Sequence, residues 1–340
     1  MVVRKTTTPK TDALLDVRGL RVSFGTTQGL VRAVNDVSLT LNRGEVLVLI
    51  GESGSGKSVT ALTVLGAMPS NTRQVAGEVW FQGQNLLSLS PTAMRHIRGN
   101  RIAMVPQDPM IAFDPVYPIG VQIAEAIRAH QPLSRREAHK RAVALLDQVG
   151  LPNAARRASH FPHQLSGGMA QRALIAMALA CGPDILIADE PTTALDVTVQ
   201  AQILELLMHL KETMGLAVLF ITHDMGVAAQ IADRVAVMYA GRIVEQADVD
   251  TLFYRPQHPY TWGLLQSTLR LDAPADVEIQ AIAGMPPNPV SLPPGCTFHP
   301  RCPFVKKICH EAYPTLEVVA PNHIAACHLS VQERKEFNRG

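Results

Sequence analysis

The sequence predicts an α/β fold built on a parallel sheet, and three observations carry that reading. The first is Gly51-Glu52-Ser53-Gly54-Ser55-Gly56-Lys57-Ser58, set between the apolar run Val46-Leu47-Val48-Leu49-Ile50 and the helix-prone Val59-Thr60-Ala61-Leu62-Thr63-Val64-Leu65. Glycines at a strand-to-helix turn let the backbone curl until several N–H groups face one anion, and the helix N-terminus adds its own donors and dipole. The second is that three further apolar runs also end in polar groups: 101–105 in Gln107, 185–188 in Asp189-Glu190, and 216–221 in Thr222-His223-Asp224. In a parallel sheet such strand ends share the carboxyl edge, where ligands bind. The third is the long helical pattern from Gly120 to Gly182, which separates the second run from the third.

Composition narrows the classes. With 340 residues, 47% hydrophobic and 18% charged, the chain can bury a sizeable core and form more than one compact unit. A formal net charge of +2 argues against nucleic acid or an acidic membrane surface as main partner. No apolar stretch nears the roughly 20 residues that span a bilayer. The basic, threonine-rich residues 1–11 lack the apolar segment of a secretory signal. The expectation is a protein in the cytoplasm that relies on other chains for any membrane span.

Taken in order, residues 1–12 read as a flexible tail. Residues 14–42 alternate like short antiparallel strands punctuated by Gly19, Gly25 and Gly29, with Phe24 as their one aromatic. Residues 77–83 read as a hairpin segment, and Gln107, between Pro106 and Pro109, stands where a strand end meets a ligand. Ser134 is placed to cap a helix that carries Ala138, Ala142, Leu145, Leu146 and Val149 on one face and stops at Gly150. Leu165-Ser166-Gly167-Gly168-Met169-Ala170-Gln171-Arg172 again sets small residues before a helix, a second group of anion-directed N–H groups. The adjacent acids Asp189 and Glu190 need a purpose, since an unpaired buried charge is costly; one on Mg²⁺ and the other aimed at a water supplies it. Beyond residue 250 the chain holds half of its 24 prolines and four of its five cysteines, Cys296, Cys302, Cys309 and Cys327. Such a loop-rich segment is expected to be tied together by something other than its own core. In a reducing compartment, clustered cysteines point to a metal site rather than disulfides.

Residues 51–58, Gln107, 165–171, 185–190 and His223 together resemble the ATP-binding-cassette (ABC) ATPases: Walker A, Q-loop, LSGGQ-type signature, Walker B and H-loop, in that family's order and spacing. Met169-Ala170 departs mildly from the signature without touching the contact residues. Gln257-His258-Pro259-Tyr260-Thr261 and the stretch 294–303 resemble the C-terminal extension of oligopeptide/dipeptide/nickel importer ATPases, as do 107–110 and 238–241. The resemblance covers roughly residues 14–330. It implies a P-loop NTPase fold with a RecA-like core, an antiparallel β subdomain and a helical signature subdomain, plus the Pro/Cys-rich extension. The expected division is an ATPase domain over 13–250, its helical part at about 110–180, and the extension over 251–340.

What the resemblance implies for function is the ATP-hydrolysing subunit of an importer for di- or oligopeptides or a similar small solute. Two cassettes would face head to tail. Lys57 and the loop residues Gly51, Ser53, Gly54, Ser55, Gly56, Ser58 and Val59 would hold the ATP phosphates, and Phe24 would stack on adenine. Ser58, Asp189 and Gln107 would serve Mg²⁺, Glu190 would polarise the attacking water, and Gln107 and His223 would contact the γ-phosphate. Ser166, Gly167, Gly168 and Gln171 would close on the partner's ATP, with Asp196 touching the partner. The same resemblance points to a [4Fe–4S] cluster on the four late cysteines. Their gaps of five, six and seventeen residues match neither paired C-x-x-C zinc sites nor the bacterial ferredoxin run, and Zn²⁺ with help from His299, His310 or His328 is the rival. Expected partners are a second cassette ATPase, a paralogue in preference to a second copy, two transmembrane permease subunits and, indirectly, an extracytoplasmic solute-binding protein; no nucleic acid is expected. The location implied is the cytoplasmic face of the inner membrane. The competing class is a soluble regulatory or iron- and redox-sensing cassette ATPase; residues 110–115 after the Q-loop, where the family docks its membrane subunits, favour transport.

Overall fold

The apolar runs that end in polar groups become strands buried on both faces. The computed structural model describes residues 13–193, 195–267 and 282–337; the tail expected over 1–12 lies outside them, as do 194 and two stretches of the extension. Twelve strands are formed among the described residues: β1 (Ala13–Thr26), β2 (Gly29–Asn42), β3 (Val46–Ile50), β4 (Thr72–Phe81), β5 (Gln84–Asn85), β6 (Ile102–Val105), β7 (Ile185–Asp189), β8 (Ala217–Thr222), β9 (Arg234–Tyr239), β10 (Arg242–Asp248), β11 (Glu317–Ala320) and β12 (His323–Ala325).

They make two sheets. The larger runs β11-β12-β10-β9-β3-β8-β7-β6. Its five strands from β9 to the edge strand β6 are parallel, and β10 to β11 continue the sheet antiparallel. In β3, β7 and β8 every residue is buried, which is why their sequences read as unbroken apolar runs rather than alternating ones. Alternation survives only in direction: Val46, Val48 and Ile50 join one core, Leu47 and Leu49 the other. The first core is closed by helices including Ile119–Arg128, Arg135–Gln148, Gly167–Ala178 and Val197–Met214. The second is closed by helix Lys57–Val64 and the smaller antiparallel sheet, ordered β2-β1-β4-β5.

One local expectation is refined and another is met. Residues 14–42 form one long hairpin instead of several short strands. Gly19, at φ 55°, marks a register shift between Val17 and Leu20 rather than a turn, and its N–H is satisfied by the Ser38 hydroxyl. The Ser134 helix forms as expected, with a capping box in which Ser134 and Glu137 satisfy each other's backbone N–H, and Gly150 takes the left-handed conformation just past its end.

The proline-rich segment finds its core in the rest of the chain. Strand β12 hydrogen-bonds along the edge of β10. Tyr260 and Phe298 pack on Tyr239 of β9, with ring centroids 4.5 and 5.2 Å from it and 5.4 Å from each other. Glu245 of β10 is fully buried and accepts the backbone N–H of Gln257 (2.6 Å), that of His258 (2.8 Å) and a hydrogen bond from His323 Nε2 (2.7 Å). One carboxylate thus ties two separate stretches of chain, 257–258 and the one carrying His323, to β10. Glu245→Ala leaves those donors without an acceptor, and the expected loss is about 3 kcal/mol of stability, the scale for breaking a buried polar network. Urea unfolding checks it.

Candidate functional site

The ends of β3, β6, β7 and β8 open on one cleft of about 970 Å³, lined by the loop 51–58, Gln107, Glu190 and His223. The polar groups that follow the four apolar runs therefore meet, as parallel strand order requires. Phe24, at the end of β1, is half-buried and lines the same cleft.

The loop's shape depends on its glycines. Gly54 and Gly56 adopt φ of 78° and 105°, and a Cβ on Gly56 would run into the Ala33 carbonyl of β2. Gly56 is also the N-cap of helix Lys57–Val64 and offers no side-chain cap, so the first N–H groups of that helix remain for an anion. Lys57 is only 5% exposed. Its Nζ donates to the carbonyls of Gly51 (2.8 Å) and Glu52 (3.0 Å), folding back over its own loop. Burial lowers its pKa, and the charges of Glu190, Asp189 and Glu52 resist that fall.

Ser58 donates to Asp189 Oδ1 at 3.0 Å. Burial raises the Asp189 pKa, and the Ser58 hydroxyl opposes the rise. A hydroxyl beside a nearly buried carboxylate is the donor set of a hard cation such as Mg²⁺. Next to them, Glu190 gathers three groups on Oε2: the Gln107 amide at 3.3 Å, the Thr193 hydroxyl at 3.0 Å and His223 Nδ1 at 3.3 Å. Glu190 holds φ at 48°, an uncommon conformation for a non-glycine residue and one that concentrates at functional sites.

The second set of expected residues lies elsewhere. Ser166 caps helix Gly167–Ala178 by accepting the Met169 N–H, and Asp196 caps Val197–Met214 by accepting that of Val199. Ser166 and Gly167 are exposed, Gly168 is half-buried, and none of the three lines the cleft. Gly168 abuts Val199 so closely that a Cβ would stand 2.6 Å from its Cγ1, so the two caps share one patch of surface. Gln171 is buried, and its Nε2 finds no hydrogen-bond partner.

The four late cysteines lie near enough to influence one another electrostatically, and none forms a disulfide. Cys309 is buried and the others half-buried. Burial pushes the Cys296 and Cys302 thiols up to about 11 and about 12 and raises Cys327, and the electrostatic influence of the other cysteines adds to each rise. Cys309 Sγ accepts the Lys306 N–H and Cys327 Sγ the Leu329 N–H, each at 3.5 Å. Backbone N–H groups of Phe298 and His299 bear likewise on Cys296, and that of Phe304 on Cys302. Among the described residues, no three His, Cys, Asp or Glu side chains converge closely enough for a single ion.

Several groups at the cleft were not legible beforehand. Thr193 could have been found from its place three residues after Glu190. Leu264, Ile282 and Pro289, from beyond residue 250, also line the cleft. So does Glu52, which is bound by Arg301 across 249 positions; no local pattern signals that pairing.

Comparison with known proteins gives a consistent result. A family model described as ABC transporter matches residues 34–193, and one described as oligopeptide/dipeptide transporter, C-terminal region, matches 244–309. A relative from Sinorhizobium fredii, named for a peptide ABC transporter's ATP-binding protein, is 51% identical over 329 residues, covering 96% of this chain and 98% of the relative. The oligopeptide transport ATP-binding protein OppD of Salmonella typhimurium is 47% identical over 322 residues, covering 95% of each. Among solved structures, a dimeric ATP-binding cassette in a post-hydrolysis state with ADP and Pi is 29% identical with a TM-score of 0.62, over 69% of this chain and 98% of that one. With the cleft, the strand order and a near full-length match in agreement, the chain belongs to the ATP-binding-cassette transporter ATPases of the oligopeptide/dipeptide family.

Proposed function

We propose that the cleft binds MgATP and that Glu190 activates the water that cleaves it, driving uptake of di- or oligopeptides or a similar small solute. The observation that carries this reading is the convergence of Gln107, Thr193 and His223 on one oxygen of Glu190, beside Lys57 and the Ser58–Asp189 pair. In phosphoryl transfer the protein supplies position and charge and little covalent chemistry. Lys57, freed from its two carbonyls, reaches the β- and γ-phosphates, and the N–H groups from Ser53 to Ser58 cradle them. Ser58 and Asp189 would hold Mg²⁺, which when bound would neutralise charge on the phosphates. Gln107 and His223 hold the Glu190 carboxylate at the mouth, where each also faces the γ-phosphate, and Phe24 stacks on the adenine.

Ser166, Gly167 and Gly168 lie outside their own cleft, so they serve a nucleotide held by another cassette, with Asp196 beside them in the same interface. The solved cassette similar to this chain is dimeric. A paralogous ATPase is the partner we favour, with two permease subunits and an extracytoplasmic solute-binding protein completing the importer. No helix among the described residues is long and apolar enough to cross a membrane, in keeping with a peripheral subunit on the cytoplasmic face of the inner membrane. The domain division we adopt is a cassette over 13–250 and an extension from 251.

For the late cysteines we favour a [4Fe–4S] cluster on Cys296, Cys302, Cys309 and Cys327. Every sulfur faces a backbone N–H, which offsets part of the burial that favours its thiol form, and a bound iron would hold it as the thiolate. One zinc needs its sulfurs about 2.3 Å from a single point, whereas a cluster offers each thiolate its own iron. When bound, the cluster would contribute folding free energy to the segment.

Glu190→Gln is expected to keep MgATP binding and to lower turnover in the assembled transporter by about 10²–10⁴, the range for loss of a general base; unchanged turnover removes Glu190 from the role. Protein purified without oxygen is expected to carry about four irons and four acid-labile sulfides per chain. One zinc with no sulfide would replace the cluster by a structural clip and leave the ATPase assignment intact.

A further inference from the structure

A negative charge inside a phosphate-binding loop works against the ligand, and Glu52 is such a charge. It is the second residue of the loop 51–58, and its carboxylate is met by the guanidinium of Arg301: Nη1 to Oε2 at 2.8 Å and Nη2 to Oε1 at 2.9 Å. This two-point fork is the strongest geometry available to the pair. The remaining donors are also used: Nη1 on the Tyr239 hydroxyl (3.4 Å), Nη2 on the Ile282 carbonyl (3.4 Å) and Nε on the Ala283 carbonyl (3.1 Å). All five N–H groups of Arg301 therefore have acceptors, and its side chain is 5% exposed.

The rest of Glu52 is held as firmly. Its N–H donates to the Tyr260 hydroxyl at 2.9 Å, and its carbonyl accepts Lys57 Nζ at 3.0 Å. Two of these restraints, Tyr260 and Arg301, come from beyond residue 250. Arg301 also fixes residues 282–283, and Ile282 lines the cleft.

We infer that Arg301 is a positioning residue for the nucleotide: it cancels the charge of Glu52 and fixes the curvature of the loop 51–58, so that phosphate affinity depends on a side chain from the cysteine-bearing segment. This rests on the reading that the cleft binds MgATP. Without Arg301, the Glu52 carboxylate repels the incoming phosphates and the loop loses a buried anchor.

The test is MgATP affinity, measured with a fluorescent ATP analogue on the full-length protein. Wild-type protein that binds nothing would sink the MgATP reading itself. Given wild-type binding, Arg301→Gln is expected to weaken affinity by about tenfold or more, a coupling typical of a broken contact pair. Adding Glu52→Gln to Arg301→Gln should recover part of the loss, because it removes the uncompensated charge. A purely structural role predicts the opposite, a double variant as weak as the single one or weaker. Unchanged affinity in Arg301→Gln, or additive losses, would overturn the inference. Arg301→Lys, which keeps the charge but not the fork, covers the case in which Arg301→Gln does not fold. It should bind MgATP more weakly than wild type by about two- to fivefold, and adding Glu52→Gln to it should cause no further loss; wild-type affinity or a further drop overturns the inference.

Discussion

Five parallel strands buried on both faces can place a charge only at their ends. The chemistry of the cleft follows from that constraint. Strands β3, β6, β7 and β8 are apolar along their length and deliver Gly51, Gln107, Glu190 and His223 to one edge. There the buried charges of Lys57 and Asp189 must be compensated by their neighbours. Lys57 is kept in place by two carbonyls and three nearby carboxylates, Asp189 by the Ser58 hydroxyl, and Glu190 by two hydrogen bonds and the His223 ring on one oxygen. The Gly51 and Glu52 carbonyls occupy positions on Lys57 that phosphate oxygens can take over.

The site is also divided. Helix N-termini on the helical side, capped by Ser166 and Asp196, stand exposed and apart from the cleft they would complete. Gly168 is pressed against Val199 without room for a side chain, which holds the two caps in a fixed relation. A rigid exposed patch of this kind suits a surface that meets a second body, and on the proposed reading division between two bodies would make hydrolysis conditional on their closure.

Most of the nucleotide site was legible because it is local. A glycine-rich loop between an apolar run and a helix, or two acids after a buried strand, carries its meaning within ten residues. The central sheet was legible for the same reason, since only parallel strands tolerate such unbroken apolar runs. What escaped was non-local. Gly19 read as a turn because a bulge and a turn both ask for a left-handed residue; only the register of β1 against β2 separates them. The fork between Arg301 and Glu52, and the hold of Glu245 on Gln257, His258 and His323, join segments with no shared pattern. Composition past residue 250 suggested a segment without a core because it counted apolar residues in that segment alone, whereas Tyr260 and Phe298 close on Tyr239 of the central sheet.

Strand β12 has a further bearing. It covers the edge of β10, and β11 in turn covers β12. An uncovered edge strand presents a row of unpaired N–H and C=O groups, a template for pairing with other chains. The point near residue 250 where composition changes is therefore a poor place to divide the molecule. A fragment ending there would keep the phosphate loop but show a sticky margin to its neighbours in the cell, and with it a tendency to self-associate that would be mistaken for cassette dimerisation.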